Sequence, residues 1–149
     1  MTGNVLLDTN VVVYAYDRSN RSKQQRALEA MRGLVRSGRG RLSAQVLGEF
    51  YRVVTGKLAP ALTAPDAHSQ VTSLAQAWPV LPITSFIVLE ATRGARDHRL
   101  PYWDAQVWAT ARLNQIETVL TEDFTDGQAI EGVRFVDPFS RSFDLARLS

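Results

Sequence analysis

Short apolar runs alternate with longer stretches of helical periodicity along almost the whole chain. The predicted strands cover residues 4–7, 41–42, 80–83, 116–121 and 132–136. The predicted helices cover residues 22–37, 43–56, 65–78, 85–92 and 102–114. Parallel strands need a crossover between them, usually a helix, so this alternation predicts an α/β fold with a largely parallel central sheet flanked by helices. No linker or repeat interrupts the pattern, and we therefore expect residues 1–149 to form a single domain.

Several local signals refine this prediction. Ser43 and Ser85 are the predicted N-caps of the helices that follow them, and Pro82 places the strand at 80–83 at an edge or end of the sheet. The apolar run at 11–13 continues the character of the first strand beyond an aspartate. In the last helix the residues predicted to pack inward are Trp103, Val107, Ala111 and Leu113.

Composition limits the chemistry and the location of the protein. The 149 residues include no cysteine, which excludes disulfides, thiolate metal sites and cysteine nucleophiles. The first four residues lack the basic region of a signal peptide, and no stretch approaches the ~20 apolar residues of a membrane span. We therefore expect a cytoplasmic protein with no membrane partner.

The basic residues are unusual in kind and in distribution. The net charge is only +2, but fifteen of the seventeen basic residues are Arg, and eight of the seventeen lie between Arg18 and Arg41, where Glu29 is the one acid. Arg binds phosphate bidentately, which is compatible with a nucleic-acid partner. A solvated helix face in an Arg-rich chain is an equally good explanation, and the sequence leaves both open.

Four acidic residues from distant parts of the chain are predicted to meet. Asp8 closes the first strand and Asp123 follows the strand at 116–121, while Glu49 lies two turns into its helix and Asp104 lies in the first turn of another. The carboxyl ends of parallel strands share one edge of a sheet, where ligands bind. Carboxylates gathered there repel one another unless a cation intervenes, and Mg²⁺ or Mn²⁺ prefers oxygen ligands. Such a group is typical of phosphate chemistry.

Polar neighbours of these acids are candidates for supporting roles. Thr9 and Thr121 carry hydroxyls beside the acids, and Asn10 is placed to hydrogen-bond a carboxylate, although each is also a plausible cap or turn residue. Asp126 precedes a glycine, so a structural turn is favoured over a metal ligand for it. Neither His68 nor His98 has an evident partner, and ordinary surface positions are expected for both.

Four motifs in this order resemble those of the PIN-domain ribonucleases, in particular the toxins of VapBC-type toxin–antitoxin pairs. The motifs are Leu7-Asp8-Thr9-Asn10, Ser43-Ala44-Gln45-Val46-Leu47-Gly48-Glu49, Tyr102-Trp103-Asp104-Ala105 and Leu120-Thr121-Glu122-Asp123. The resemblance runs nearly end to end and implies a metal-dependent ribonuclease in which a metal-activated water hydrolyses RNA. It also implies that Mg²⁺ or Mn²⁺ is held by the four catalytic acids, Asp8, Glu49, Asp104 and Asp123. A cognate antitoxin and a homodimer are implied as partners.

Other folds that cluster aspartates at strand ends fit the sequence less well. A phosphoacceptor receiver domain needs a lysine near a later strand end, and the only lysines are Lys23 and Lys57. A dehalogenase-like phosphatase needs a second aspartate two residues after the first, where this chain has Asn10. No glycine-rich loop with Lys-Ser/Thr occurs, which excludes the phosphate-binding NTPases. A catalytically silent RNA- or protein-binding module remains the alternative.

Overall fold

The computed structural model describes residues 3–148, apart from the side chain of Arg147. Within that range the strands are Val5–Leu7 (β1), Gly40–Ser43 (β2), Val80–Leu81 (β3), Thr118–Leu120 (β4), Ala129–Ile130 (β5) and Val133–Val136 (β6). The helices are Thr9–Tyr14 (α1), Arg21–Ser37 (α2), Ala44–Gly56 (α3), Ala64–Ala77 (α4), Ser85–His98 (α5) and Tyr102–Leu113 (α6). A short 3₁₀ helix covers Leu145–Leu148. Every predicted strand and helix is present, and α1, β5 and the 3₁₀ helix are additions.

The strands form one sheet in the order β3-β2-β1-β4-β6-β5. All neighbours are parallel except β5 and β6, which form an antiparallel pair. The prediction of an α/β fold with a largely parallel sheet is therefore confirmed. The edge strand β3 is followed directly by Pro82, as expected for a strand at an edge of the sheet. The strand β1 lies in the middle of the sheet, and its carboxyl end is next to that of β4.

Two hydrophobic cores lie on the two faces of this sheet. The side chains of β1 alternate between them, because Val5 and Leu7 point to one face and Leu6 to the other. Helices α1 to α4 pack on the first face, and α5 and α6 pack on the second around the fully buried Trp108. A central parallel strand covered on both faces is uniformly apolar, which explains why the first strand has no polar residue before Asp8.

Two predictions about helix starts need correction. The apolar run at 11–13 is not an extension of the first strand, because Asp8 accepts a hydrogen bond from the Thr9 amide and caps α1, so this run is helical. The cap of α5 is Thr84 and not Ser85, since Thr84 Oγ1 accepts the amide hydrogen of Ile87 at 3.3 Å. By contrast, Ser43 caps α3 as predicted, with its hydroxyl accepting from Val46.

The predicted inward face of α6 is only half right. Val107 and Ala111 are buried, but Trp103 is 62% exposed and Leu113 is 42% exposed. The physical reason is that the middle of α6, residues 105–111, is covered by the sheet, by α5 and by Gln45 of α3, whereas Trp103 and Leu113 lie near its two ends, beyond this cover. Among the described residues, no helix is long and apolar enough to cross a bilayer.

Candidate active site at the carboxyl edge of the sheet

Asp8 is the most buried acid of the predicted group, with 5% of its surface exposed. It lies immediately after β1, where its carboxylate accepts three hydrogen bonds. Oδ1 accepts from the Thr9 amide at 2.8 Å, and Oδ2 accepts from Thr121 Oγ1 at 2.8 Å and from Asn10 Nδ2 at 3.4 Å. The carboxylate is therefore fixed in position by its neighbours on two different strand ends.

Burial raises the pKa of Asp8 from its ordinary 3.8 to about 7. The hydrogen bonds from Thr121 and Thr9 oppose this rise, and the nearby charges of Asp123 and Glu49 add to it. The balance shows that desolvation outweighs the donors, since burial disfavours the charged form of an acid. Near neutral pH this carboxyl group is therefore partly protonated unless a cation lies beside it.

A consequence for stability can be measured in metal-free buffer. The folded-state pKa of Asp8 is higher than that of the unfolded chain, so its contribution to stability is fully present below pH 3.8 and is lost as the pH rises to about 7. We expect the melting temperature in EDTA to fall as the pH rises from about 4 to about 7, and Asp8→Asn to remove most of this slope. An unchanged slope in Asp8→Asn would show that another group is responsible.

Asn10 joins the ends of β1 and β4. Its Oδ1 accepts the amide hydrogen of Glu122 at 3.2 Å, which directs Nδ2 towards Asp123 Oδ2 at 3.1 Å and Thr121 Oγ1 at 3.2 Å. Thr121 Oγ1 in turn accepts the amide hydrogen of Asp123 at 3.0 Å. The expectation that Asn10 hydrogen-bonds a carboxylate is confirmed, and Thr121 connects the same two acids, Asp8 and Asp123.

Glu49 reaches the same edge from α3. Gln45 Nε2 donates to its Oε1, and Thr9 Oγ1 donates to its Oε2 at 3.4 Å. Among the described residues it makes no ion pair with Arg52, the partner that a purely structural role would favour. Gln45 also accepts from Gln106 Nε2 at 3.0 Å, which ties α3 to α6. The sequence analysis did not single out these two glutamines, although the position of Gln45 four residues before Glu49 on α3 was a usable signal.

Asp104 lies in the first turn of α6, as predicted, and is half-buried. Burial raises its pKa, and the charges of Asp123 and Glu49 raise it further. Its carboxylate has no hydrogen-bond partner among the described residues. The four predicted acids therefore influence one another electrostatically at a single edge of the sheet, although they come from four separate elements.

The other candidate residues lie outside this group. Asp126 Oδ1 accepts the amide hydrogen of Asp137 at 2.9 Å, in keeping with the favoured structural role. His98 lies 2.6 Å from Glu131 at the far end of α5, so it has an acid partner that the sequence did not indicate. Glu122 was also not singled out, yet it accepts from Tyr14 and from Lys23, which holds the chain next to Asp123.

The basic residues between Arg18 and Arg41 divide into two groups. Lys23 pairs with Glu122 at 2.7 Å, and the side chains of three arginines donate to backbone carbonyls, namely Arg26, Arg39 and Arg41. The remaining four are exposed and make no side-chain hydrogen bond or ion pair with other described residues, namely Arg18, Arg21, Arg32 and Arg36. Half of the cluster therefore serves the fold, and a phosphate role for the other half stays a prediction.

The chemistry of the acid group suits a hard divalent cation, since all four acids offer oxygen atoms and Asp8 is buried against like charges. As the side chains stand, however, no group of three or more His, Cys, Asp or Glu residues within 3–148 is arranged to hold a metal ion. Gln45 and Thr9 hold Glu49, and Asn10 spans Asp8 and Asp123. Binding would require these side chains to turn towards a common point.

The chain matches one family model and resembles several solved structures. A family model described as PIN domain matches residues 5–125. A toxin–antitoxin complex from Klebsiella pneumoniae is 24% identical, covers 91% of this chain and 98% of its own, and has a TM-score of 0.62. VapC20 of Mycobacterium tuberculosis, described as a sarcin-ricin loop cleaving toxin, is 16% identical, with coverages of 88% and 99% and a TM-score of 0.64.

VapBC2 from Rickettsia felis, bound to a DNA fragment from its promoter, has a TM-score of 0.66 at 14% identity, with coverages of 89% and 97%. At these identities the likeness to solved structures shows the fold alone. No curated protein matches this chain.

Proposed function

This chain belongs to the PIN domain family, and we propose that it is a metal-dependent endoribonuclease, the toxin of a VapBC-type toxin–antitoxin pair. The observation that carries the proposal is Asp8, a buried carboxylate whose pKa is about 7 because burial and neighbouring acids disfavour its charge. Strongly perturbed carboxylates grouped at a ligand-binding edge are typical of catalytic sites. The likeness to a sarcin-ricin loop cleaving toxin and to a toxin–antitoxin complex supports the same function.

Asp8, Glu49, Asp104 and Asp123 would hold Mg²⁺ or Mn²⁺. When bound, the cation supplies positive charge against the phosphate and lowers the pKa of an attacking water. The protein's own part is positioning: Asn10 and Thr121 orient two of the acids, and Gln45 and Thr9 orient Glu49. The absence of cysteine agrees with a reaction that uses water as the nucleophile.

We assign residues beyond the matched segment to the same domain. The strand β6 pairs with β4 in parallel, and Phe143 and Leu148 are buried in the core on the face of α1 to α4. Removal of this part of the chain would therefore uncover both the sheet and the core. A single domain over 1–149, working in the cytoplasm, is the arrangement that we propose.

The proposed partners are a cognate antitoxin, a second copy of this chain and the RNA substrate. An acidic edge favours an inhibitor that presents Arg or Lys to it, because opposite charges steer and orient association. A structure of the complex in which no basic side chain of the antitoxin approaches Asp8 would contradict this mode of inhibition.

The homodimer has a candidate surface on α5. A groove of about 690 Å³ lies there, away from the acids, and Phe86 and Leu89 beside it are 74% and 66% exposed. Exposed apolar patches of this kind commonly mark protein interfaces. We expect Phe86→Arg to convert a dimer to a monomer in light scattering, and Val35→Arg on α2 to leave the mass unchanged. A dimer that survives Phe86→Arg would place the interface elsewhere.

The direct test of the function is cleavage of a mixed small-RNA pool by protein free of any antitoxin, with Mg²⁺, Mn²⁺ or EDTA. We expect cuts only with a divalent cation, and 5′-phosphate and 3′-hydroxyl ends at the cuts. Cyclic phosphate ends would indicate attack by the RNA 2′-hydroxyl, against a water nucleophile. No cuts and no response of the melting temperature to metal would favour the catalytically silent binding module.

A further inference from the structure

A slot of about 360 Å³ lies between α3 and α6, next to the acid group. Its walls include Gln45, Gly48 and Trp103. Glu49 and Arg52 line both this slot and the neighbouring groove of about 400 Å³ that also contains Asn10. The slot therefore borders the acid group at Glu49. Its volume is at the lower end of small-ligand sites, roughly 300–1,000 Å³.

Trp103 forms an aromatic wall of this slot and is unlike the other two tryptophans of the chain. It is 62% exposed, whereas Trp78 and Trp108 are buried. It precedes Asp104 in the first turn of α6, and the ring of Tyr102 meets it edge-on, with centroids 5.0 Å apart. The edge-on contact fixes the ring and leaves much of the indole open to a planar partner.

The amide groups of the slot are already occupied by the protein. Gln45 Nε2 donates to Glu49 and to the Trp103 carbonyl, and Gln45 Oε1 accepts from Gln106. Gln106 Oε1 accepts from the Tyr102 hydroxyl at 2.8 Å. These hydrogen bonds hold the side chains of the slot in place and leave few free donors or acceptors to bond with the edge of a base. A base bound here would therefore be recognised by stacking.

Gly48 and Arg52 complete the slot. A Cβ added at Gly48 would meet nothing within 4 Å, so the slot is open because this helical position lacks a side chain. Arg52, one turn further along α3, is exposed and makes no ion pair with any described residue. An unpaired Arg beside an aromatic face is the combination that binds one nucleotide, with its phosphate on the guanidinium and its base on the ring.

We propose that the slot between α3 and α6 is a base-binding subsite of the RNA substrate, in which one unstacked base packs on Trp103 and the adjacent phosphate pairs with Arg52. This inference rests on the proposed function and adds to it the class of substrate at this point, a single-stranded nucleotide next to the scissile phosphate. Because stacking tolerates every base, the subsite selects unpaired RNA and not a sequence.

Binding is measured as a change in tryptophan emission and in its quenching by iodide, to which Trp103 is accessible because it is 62% exposed, while Trp78 and Trp108 are buried. The probes are octamers of uridine, octamers of adenosine and a matched duplex, added to Asp8→Asn protein, in which cleavage is expected to be lost. Both single strands are expected to quench the emission and to protect it from iodide, and the duplex much less. Quenching that is equal for the duplex, or that is produced by an antitoxin but not by RNA, would overturn the subsite.

Cleavage rates of variants in the slot test the subsite separately from the proposed nuclease function. A Cβ at Gly48 meets no atom within 4 Å, so a leucine there is expected to extend into the slot. We expect Gly48→Leu to lower kcat/KM about 5- to 100-fold, as does Trp103→Ala, whereas Trp103→Phe retains most of the activity. Gly56→Leu on the same helix, also in open space, is the matched control with unchanged kcat/KM. If Gly48→Leu and Trp103→Ala cleave as the wild type does, the subsite is wrong and the nuclease stands. If the wild type itself does not cleave, the proposed function fails.

Discussion

Replacing Asp8 by Asn is expected to lower RNA cleavage by about a thousandfold or more. The side chain keeps its size and can still accept from the Thr9 amide, so the helix cap survives. What is lost is the negative charge on which the proposed cation binding depends. Loss of a group that merely supports a metal ligand costs about 10–100-fold, and loss of a ligand costs more.

The same substitution is expected to stabilise the metal-free protein at pH 8. The folded state then no longer holds a buried charge whose pKa has been raised to about 7 by desolvation. Asp104→Asn should act in the same direction, more weakly because Asp104 is only half-buried. Asp66→Asn, which changes an acid in the first turn of α4, is the matched control and should leave cleavage unchanged.

If Asp8→Asn cleaves one RNA at the same single-turnover rate as the wild type, the acid group is not the active site. A fall in the melting temperature of metal-free Asp8→Asn would contradict only the predicted stabilisation. It would show that the hydrogen bonds from Thr121 and Asn10 satisfy the charged carboxylate more fully than its raised pKa indicates.

A large loss of stability is expected from Gly94→Ala in α5. A Cβ at this position would lie 2.5 Å from Cζ3 and 2.7 Å from Cε3 of the Trp108 indole. Trp108 is fully buried and donates to the Ile130 carbonyl at 3.1 Å, so it cannot move aside without losing that bond. We expect a loss of about 3 kcal/mol or more in the free energy of unfolding, at the upper end of overpacking effects.

Urea unfolding of Gly94→Ala beside Gly56→Ala measures this effect. A Cβ at Gly56 meets nothing, and alanine is the better helix former by about 1 kcal/mol, so the control should be as stable as the wild type or slightly more so. Equal stability of the two variants would mean that α5 and α6 can separate freely. Because α6 carries Asp104, such freedom would also undermine the fixed geometry of the acid group.

Much of the fold was predictable because its signals are local. The capping hydroxyl of Ser43 and the position of Pro82 at a strand end depend only on nearby residues. The meeting of Asp8 and Asp123 was predictable for a different reason: parallel topology alone brings the ends of β1 and β4 together. The contact between Asn10 and the carboxylates followed from the same geometry.

The features that were mispredicted depend on tertiary surroundings. Trp103 was expected to pack inward because periodicity reports which face of a helix is apolar, but not where the covering elements end. The ties between Gln45 and Gln106, and between Lys23 and Glu122, join residues 61 and 99 positions apart. No spacing rule in one sequence reveals such pairs, yet they set the positions of Glu49 and of the chain at Asp123.

The most direct measurement is the binding of Mn²⁺ to purified wild-type protein and to Asp8→Asn, followed by the loss of the free-ion signal in electron paramagnetic resonance at pH 8. We expect the wild type to bind Mn²⁺, with a matching rise in melting temperature by mass action, and Asp8→Asn to show neither. Equal binding by the two proteins, or none by the wild type, would contradict the assignment of these four acids as a metal centre.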